Sequence, residues 1–221
     1  FRITKNTLYK QVIDDCITYL IRDLKDADTP GFFSAEDADS EGKEGTFYIW
    51  AYDELKKLLP ADDFKLIQAV YSIKKDGNFM DEATHQPTKE NIFHKVDDLE
   101  SVLSTFQLTK AQGEQKLKSI LETIRLAREN RTRPSLDDKI LTDWNGLMIS
   151  AFARAGAILN NDEYIIAAEK SADFIIENLI NNEGVLLKRY RDGVSGIDGM
   201  IEDYAFFIWG LLELYQITFK D

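Results

Sequence analysis

The stretch Asp143–Leu159, DWNGLMISAFARAGAIL, is the part of the sequence that decides the fold. It has almost no polar face, and a helix that is apolar on all sides must be surrounded by other structure. The stretch Ile201–Thr218, IEDYAFFIWGLLELYQIT, has the same character. The helices predicted at about 5–25 and 162–180 are apolar on one side only, so we expect them to lie outside the two buried helices.

The buried and one-sided helices belong to a repeated pattern. Asp143-Trp144 opens one buried helix and Asp203-Tyr204 opens the other, and each one-sided helix runs into an extended segment that begins at a glycine. Repeated helix pairs with inner and outer members indicate an α/α solenoid or a closed ring, and the long excursions favour the ring. We therefore predict an all-α fold, an α/α-hairpin toroid with short β-hairpin excursions. Seven or eight helices are too few for six pairs, so residues 1–221 should form a single fragment of a larger helical domain, with an incomplete ring.

Other elements can be predicted along the chain. Thr109 and Gln112 have the spacing of a capping box, which starts a long helix that ends near Asn130. Short helices are expected near 52–59, 62–72 and 97–105, a strand-and-turn segment at 31–50, and an extended piece at 185–190.

Composition excludes several classes of protein and partner. A net charge of -12 over 221 residues disfavours nucleic acid and anionic membranes. No apolar run approaches the ~20 residues of a membrane span. The single cysteine, Cys16, excludes an intrachain disulfide and fits a reducing compartment, so we expect a cytoplasmic protein with Cys16 buried on the apolar face of its helix. The sequence has no phosphate loop, dinucleotide fingerprint or Cys/His metal pattern, and it predicts neither a cofactor nor a metal.

The segment 34–45 is unusually acidic and is flanked by aromatic residues. Three interpretations stay open, namely a solvated acidic turn, a loop that faces a ligand, and a cation site. Carboxylates beside aromatic rings are typical of sugar sites. The segment matches an EF-hand calcium loop at the first, third, fifth and sixth positions of that loop. At the twelfth position Tyr48 stands where an EF-hand has a bidentate Glu, so the sequence predicts weak calcium binding or none. The carboxylates are Glu36, Asp37, Asp39, Glu41 and Glu44.

Two further segments place polar residues at the starts of the buried helices. In the first, Asp138, Trp144 and Asn145 accompany Asp143, which is either a helix cap or an acid facing a cleft, and the two roles are compatible. In the second, Asp203 is either a turn and cap residue or a second acid that faces the same cleft, with Tyr204 beside it.

Three motifs together resemble one known family. They are GFFSAEDADSEG at 31–42, DDK at 137–139 with TDWNGL at 142–147, and EDYAF at 202–206. In this order they are similar to the spermatogenesis-associated, thioredoxin-domain-containing proteins of bacteria, archaea and animals, along nearly the whole chain.

The resemblance implies a thioredoxin-like domain, absent from this chain, followed by a helical region like six-hairpin glycosidases and N-acylglucosamine 2-epimerases. It implies no firmly assigned activity, so a role on sugars is an analogy of fold. The sequence also departs from the epimerase pattern, because no inner helix carries a histidine as acid/base.

Two functional hypotheses follow. The first is a carbohydrate-active domain, a carboxylate-based sugar hydrolase or isomerase. Either Asp37 or Asp39 would donate the proton and Trp144 would stack on the sugar ring. The second is a non-catalytic binding or scaffold domain working with the thioredoxin-like domain of the same full-length chain, and an open ring edge would favour self-association. The predicted catalytic residues are Asp37, Asp39, Asp143 and Asp203, and the predicted substrate-binding residues are Glu36, Asp138, Trp144, Asn145 and Tyr204.

Overall fold

The computed structural model describes residues 1–80, 85–96 and 98–220. The chain divides into two compact units, each described by itself below. Unit 1 comprises Phe1–Glu36 and Leu136–Asp221, and unit 2 comprises Asp37–Ser135. The prediction of a single domain that belongs to a larger helical region stays a prediction.

The described residues form both α-helices and β-strands. The helices are α1 (Thr7–Tyr19, continued by a π-helical turn at Leu20–Leu24), α2 (Tyr52–Leu58), α3 (Ala61–Val70), α4 (Leu99–Thr105), α5 (Lys110–Arg128), α6 (Thr142–Leu159), α7 (Asp162–Asn178) and α8 (Ile201–Thr218). The strands are β1 (Phe33–Glu36), β2 (Asp39–Ser40), β3 (Lys43–Glu44), β4 (Trp50–Ala51), β5 (Glu90–Asn91), β6 (Leu136–Leu141), β7 (Leu187–Arg191) and β8 (Val194–Asp198).

A four-stranded antiparallel sheet in unit 1 shows that the predicted all-α toroid is wrong. Its order is β1-β6-β7-β8, with Phe33 opposite Ile140 and Leu141 opposite Arg189. Strand β6 could not be recognised from the sequence, because Asp137, Asp138 and Lys139 have low strand propensity and interrupt the alternation of apolar and polar residues. The fold class is therefore mixed α and β, and the sheet is a structural element of the unit rather than a set of isolated hairpins.

The helical core of unit 1 is built around α6. This helix packs against both α7 and α8 and buries Ile149, Phe152 and Ala153, but it is not surrounded on every side as predicted, because Trp144 and Leu147 are exposed. Two glycines allow the backbones of α6 and α8 to touch. A Cβ on Gly146 would lie 2.5 Å from the backbone carbon of Phe206, and a Cβ on Gly210 would lie 2.6 Å from the Gly146 carbonyl oxygen.

The surroundings of α8 differ from the prediction. Its buried residues are Asp203, Phe207, Gly210 and Leu214, all on one side, whereas the sequence predicted burial on every side. On the opposite side a row of large apolar residues is exposed, which we name the α8 stripe. The α8 stripe consists of Ile201, Tyr204, Ile208, Leu212, Tyr215 and Phe219.

The prediction for Cys16 is also wrong, because its thiol lies on the exposed side of α1. The neighbouring position Ile17 is the one that reaches the core. The apolar residues of this segment cover more than one face of the helix, so periodicity alone did not separate Cys16 from Ile17.

Unit 2 has its own core, to which Leu55, Ile67, Leu103 and Ile120 contribute. The predicted capping box at Thr109 and Gln112 starts α5 and is confirmed.

The acidic segment of unit 2 forms a tight hairpin. Strands β2 and β3 are joined by Glu41 and Gly42, whose positive φ angles of 56° and 75° suit a two-residue turn. Asp37, Asp39, Glu41 and Glu44 are exposed on it, and the Asp37 carboxylate accepts a hydrogen bond from the backbone N–H of Asp39 at 3.1 Å.

Arg131 fixes the chain that follows this hairpin. Its guanidinium donates to the carbonyl oxygens of Thr46, Phe47 and Ile49 at 3.2, 3.0 and 2.7 Å, and it also holds both carboxylate oxygens of Glu54. The guanidinium carbon lies 3.9 Å from the centre of the Trp50 ring.

Replacing Arg131 with methionine should lower the free energy of unfolding by about 2 kcal/mol, because it leaves carbonyl oxygens without a donor. Urea unfolding measures this loss. Lysine at position 131 keeps the charge but not the planar fork, so it should recover only a minor part of the stability. Full recovery by lysine would show that charge alone matters.

No helix within the described ranges is both long enough and apolar enough to cross a membrane.

Candidate functional site

The site forms where α6 and α8 begin next to each other. The Gly146–Gly210 contact brings the two helices together near the start of α6. Asp143 and Asp203 both lie in the first turn of their helices, inside the helix rather than at the predicted cap position. Helix starts favour negative charge, by roughly 0.3–1 kcal/mol each, so both carboxylates are stabilised as anions.

Asp203 ties the two helix starts together. One carboxylate oxygen accepts from the backbone N–H of Asp143 at 3.2 Å, and the other accepts from the backbone N–H of Met200 at 2.8 Å. Its residue exposure is 0%. Asp203 therefore positions neighbouring groups, and its carboxylate has no path to a ligand in this structure.

Lys188, on β7, lies between the two carboxylates. Its ammonium is 3.3 Å from a carboxylate oxygen of Asp143 and 3.5 Å from one of Asp203. Burial lowers the pKa of Lys188, but the charges of Asp143 and Asp203 and the hydrogen bonds to them together outweigh burial and raise its pKa above the ordinary value. We name these three residues the Asp–Lys–Asp cluster, and it carries one net negative charge.

Sequence reasoning missed Lys188. One signal was present, since alternation along a strand places Lys188 on the same side as the buried Leu186. A lysine on the inner side of a strand needs a carboxylate partner, because an unpaired buried charge is costly. The partner cannot be identified from the sequence, because Asp143 and Asp203 are distant from Lys188 along the chain.

Asp143 and Lys188 are the members of the cluster that keep some exposed surface, and Asp143 contacts the backbone of Trp144. Asp143 keeps 8% of its surface exposed, and its second carboxylate oxygen accepts from the backbone N–H of Trp144 at 2.9 Å. Trp144 itself is 49% exposed. Lys188 is partly exposed, so the ammonium of the cluster reaches solvent.

The two other predicted residues here help to hold the site together. Asn145 is buried, where it donates to the carbonyl oxygens of Phe32 and Leu141 and accepts from the Phe32 N–H. The Tyr204 hydroxyl accepts from the backbone N–H of Leu186 at 3.1 Å, and 39% of the residue stays exposed.

Glu36 and Asp138 lie elsewhere in unit 1. Glu36, on β1, accepts from the Tyr19 hydroxyl at 3.2 Å. Asp138, on β6, forms an ion pair with Arg191 at 2.7 Å and lines a polar hollow of about 300 Å³.

The predicted proton donors, Asp37 and Asp39, belong to the hairpin of unit 2, so their role at Asp143 stays a prediction. Among the described residues, no group of three or more His, Cys, Asp or Glu side chains is arranged to hold a metal ion.

Comparison with known proteins identifies the family. No family model matches the chain. Spermatogenesis-associated protein 20 of Homo sapiens is 31% identical over 99% of the chain, and the protein of the same name from Rattus norvegicus is 29% identical over 99%. The chain belongs to the spermatogenesis-associated protein 20 family.

A spermatogenesis-associated protein 20 relative also occurs outside mammals, since an uncharacterized protein of Caenorhabditis elegans is 30% identical over 98% of the chain. The chain spans about a third of the length of these relatives, 31% of the human protein and 32% of the nematode protein. The resemblance drawn from the three sequence motifs is thus confirmed, and it concerns one segment of spermatogenesis-associated protein 20.

Proposed function

We propose that this segment provides a carbohydrate site centred on Asp143. The observation that carries the proposal is the Asp–Lys–Asp cluster, whose Asp143 carboxylate accepts from the backbone N–H of the half-exposed Trp144. Lys188 holds the Asp143 carboxylate, and the fully buried Asp203 holds the backbone N–H of Asp143.

The chemistry of the surface groups suits a polyhydroxylated ligand. Sugar hydroxyls donate to a carboxylate and accept from an ammonium, while the apolar face of a sugar ring stacks on an aromatic ring. Asp143 and Lys188 supply the first two interactions and Trp144 supplies the third. Asp203 acts through Asp143 and Lys188, because it has no exposed surface of its own.

A reaction at this site would use Asp143 as the anionic group. Its carboxylate lies at the start of α6, 3.3 Å from the Lys188 ammonium, and a carboxylate can act as a base or a nucleophile. A sugar hydrolase or isomerase within a cytoplasmic, thioredoxin-domain-containing protein is the activity we propose. A net charge of -12 argues against nucleic acids or anionic membranes as partners.

The exposed α8 stripe favours a second candidate, a non-catalytic scaffold. Contiguous exposed apolar surface marks sites of protein association. In that case the segment would present a partner to the thioredoxin-like domain, and the Asp–Lys–Asp cluster would serve only to join α6, α8 and β7.

Replacing Asp143 with asparagine should weaken sugar binding about 10- to 100-fold, since it removes a charge-assisted hydrogen bond of roughly 1.5–3 kcal/mol. Calorimetric titration with a panel of neutral mono- and oligosaccharides measures binding to the wild-type chain and to the variant. Trp144→Ala should also weaken binding, with little change in melting temperature, because the ring is half exposed.

The matched control is Asp137→Asn, which removes a partly exposed carboxylate paired with Lys139 on the same sheet. It should leave binding unchanged. The proposal fails if no saccharide binds the wild-type chain, or if Asp143→Asn lowers only the melting temperature.

A further inference from the structure

Ile197 has a backbone conformation that its own side chain disfavours. Its φ angle is 66°, in the left-handed region, where a β-branched residue is an outlier. Asp192 and Asn160 also have positive φ angles, but one lies in a hairpin turn and the other follows the end of α6, where such angles are common. Ile197 lies inside β8, and among the residues that the structure describes it is the only β-branched residue with a positive φ.

The strand pairing imposes this conformation on Ile197. Residue pairs of the antiparallel ladder lie on both sides of it, with one residue between them on each strand. The pairs are Leu187 with Asp198 and Arg189 with Gly196. Ile197 therefore stands directly opposite Lys188, with no extra residue to form a β-bulge. Because the chain is held before and after Ile197, leaving the left-handed region would disturb these pairs.

Burial does not explain an isoleucine at this position. The residue is 56% exposed, so more than half of the apolar burial that would offset the strain is missing within this segment. Glycine has no Cβ and adopts a positive φ without strain, and asparagine does so at a lower cost than isoleucine. Strained residues of this kind are concentrated at binding and catalytic sites, where the fixed geometry is part of the function. The strain therefore indicates a role for Ile197 other than folding.

The register of the sheet puts Ile197 next to a member of the Asp–Lys–Asp cluster. Opposite residues of an antiparallel pair have Cα atoms about 4.5–5.5 Å apart, and Lys188 is the residue opposite Ile197. The Lys188 ammonium in turn lies 3.3 Å from the Asp143 carboxylate. An exposed apolar side chain is thus one strand away from the ammonium that we assign to sugar hydroxyls.

We propose that Ile197 is a ligand-contacting residue of the carbohydrate site, where its side chain packs against the apolar face of a bound sugar. This inference rests on the function proposed above. Binding sites for small molecules combine apolar surface with a few polar groups, and Ile197 adds apolar surface beside Lys188. A β-branched side chain on a backbone held by strand pairs has few conformations to lose, so the contact costs little entropy when the ligand binds.

Ile197→Gly should change stability and binding in opposite directions. Relief of the strain should raise the melting temperature by about 2–4 °C. Loss of the apolar contact should weaken binding about 10-fold, measured by calorimetric titration with the tightest-binding member of the panel of neutral saccharides. A residue with only a structural role would not combine higher stability with weaker binding. Ile197→Leu keeps the apolar surface and should retain binding within about twofold of the wild-type chain.

Val194→Gly is the matched control, because it removes an exposed β-branched side chain from the same strand at a position without a positive φ. It should lower the melting temperature and leave binding unchanged. If Asp143→Asn weakens saccharide binding and Ile197→Gly does not, the carbohydrate site stands and the Ile197 contact is overturned. A lower melting temperature of Ile197→Gly shows that the residue is not strained and overturns the inference as well. A wild-type chain that binds no saccharide overturns the proposed function and this inference together.

Discussion

Replacing Lys188 with methionine should lower the free energy of unfolding by about 4 kcal/mol, the largest effect we expect from a single charge in this chain. The change leaves Asp203 fully buried as an anion, with Asp143 beside it and no cation to compensate either carboxylate. Breaking a buried ion pair costs far more than forming it gains, since the remaining charge keeps its full desolvation penalty. Urea unfolding followed by circular dichroism measures the loss.

Lys139→Met is the matched control, because Lys139 pairs with Asp137 on the surface and its loss should change stability by less than about 0.5 kcal/mol. The double variant Lys188→Met with Asp203→Asn should lose clearly less free energy of unfolding than the sum of the losses in the two single variants, because the buried anion is then absent. Strict additivity would show that the three groups do not interact.

Unfolding at alkaline pH is a second test of the contact between Lys188 and the two carboxylates. The folded-state pKa of Lys188 is raised above its ordinary value of 10.5, so its contribution to stability is complete below pH 10.5 and is lost as the pH rises through the raised value. The difference in unfolding free energy between the wild-type chain and Lys188→Met should therefore shrink above pH 10.5. A difference that stays constant with pH would mean that the alkyl chain of Lys188, rather than its charge, stabilises the site.

Replacing Gly146 with valine should lower the free energy of unfolding by about 3 kcal/mol or more, because the new atoms would meet the backbone of α8. The Phe206 carbonyl carbon is part of a helix and cannot move aside as a flexible side chain would. The helices α6 and α8 would have to separate, and the Asp143–Asp203 hydrogen bond would lengthen with them. Thermal unfolding reports the loss of stability, and near-ultraviolet circular dichroism reports the change in the packing of the aromatic side chains.

Ala151→Val places the same valine side chain at an exposed position of α6 and should lower stability by less than about 1 kcal/mol, through helix propensity alone. If Gly146→Val unfolds at the same temperature as Ala151→Val, the close crossing of the two helices is incorrect.

The helices could be predicted because their signals are local. The apolar run at 201–218 gives the limits of α8, and the capping box at Thr109 and Gln112 gives the start of α5. Both patterns depend on contacts between residues three or four positions apart, which a single stretch of sequence contains.

The sheet could not be predicted because its contacts are not local. Strand β1 pairs with β6, about a hundred residues later, and β6 is charged at three of its six positions. The backbone of such a strand is held by its neighbours, so its own side chains need not be apolar. The predicted division into inner and outer helices was wrong as well, because both α6 and α8 keep an exposed face.

The candidate site could be predicted only in part, because some of its residues lie on helices and one lies on the sheet. Asp143 and Asp203 could be predicted to lie close together, because each is at the start of a similar apolar helix. In the structure the backbone N–H of Asp143 donates to the Asp203 carboxylate. The cation between them comes from β7, whose position depends on the unpredicted sheet. The exposure of α8 was missed as well, because an apolar helix sequence does not show how many of its sides find a partner within the same unit.

The pairing of β1 with β6 also sets an order of events during synthesis. Glu36 and Leu136 are opposite each other in the sheet, so unit 1 stays open at this edge while all of unit 2 is made. At about 5–20 residues per second, a ribosome takes roughly 5–20 s to reach β6. During that interval β1 has no partner strand, whereas unit 2, which is continuous in the chain, can fold as soon as it emerges. The amphipathic α1 and the bare edge of β1 are therefore the parts of the nascent chain on which a chaperone would act.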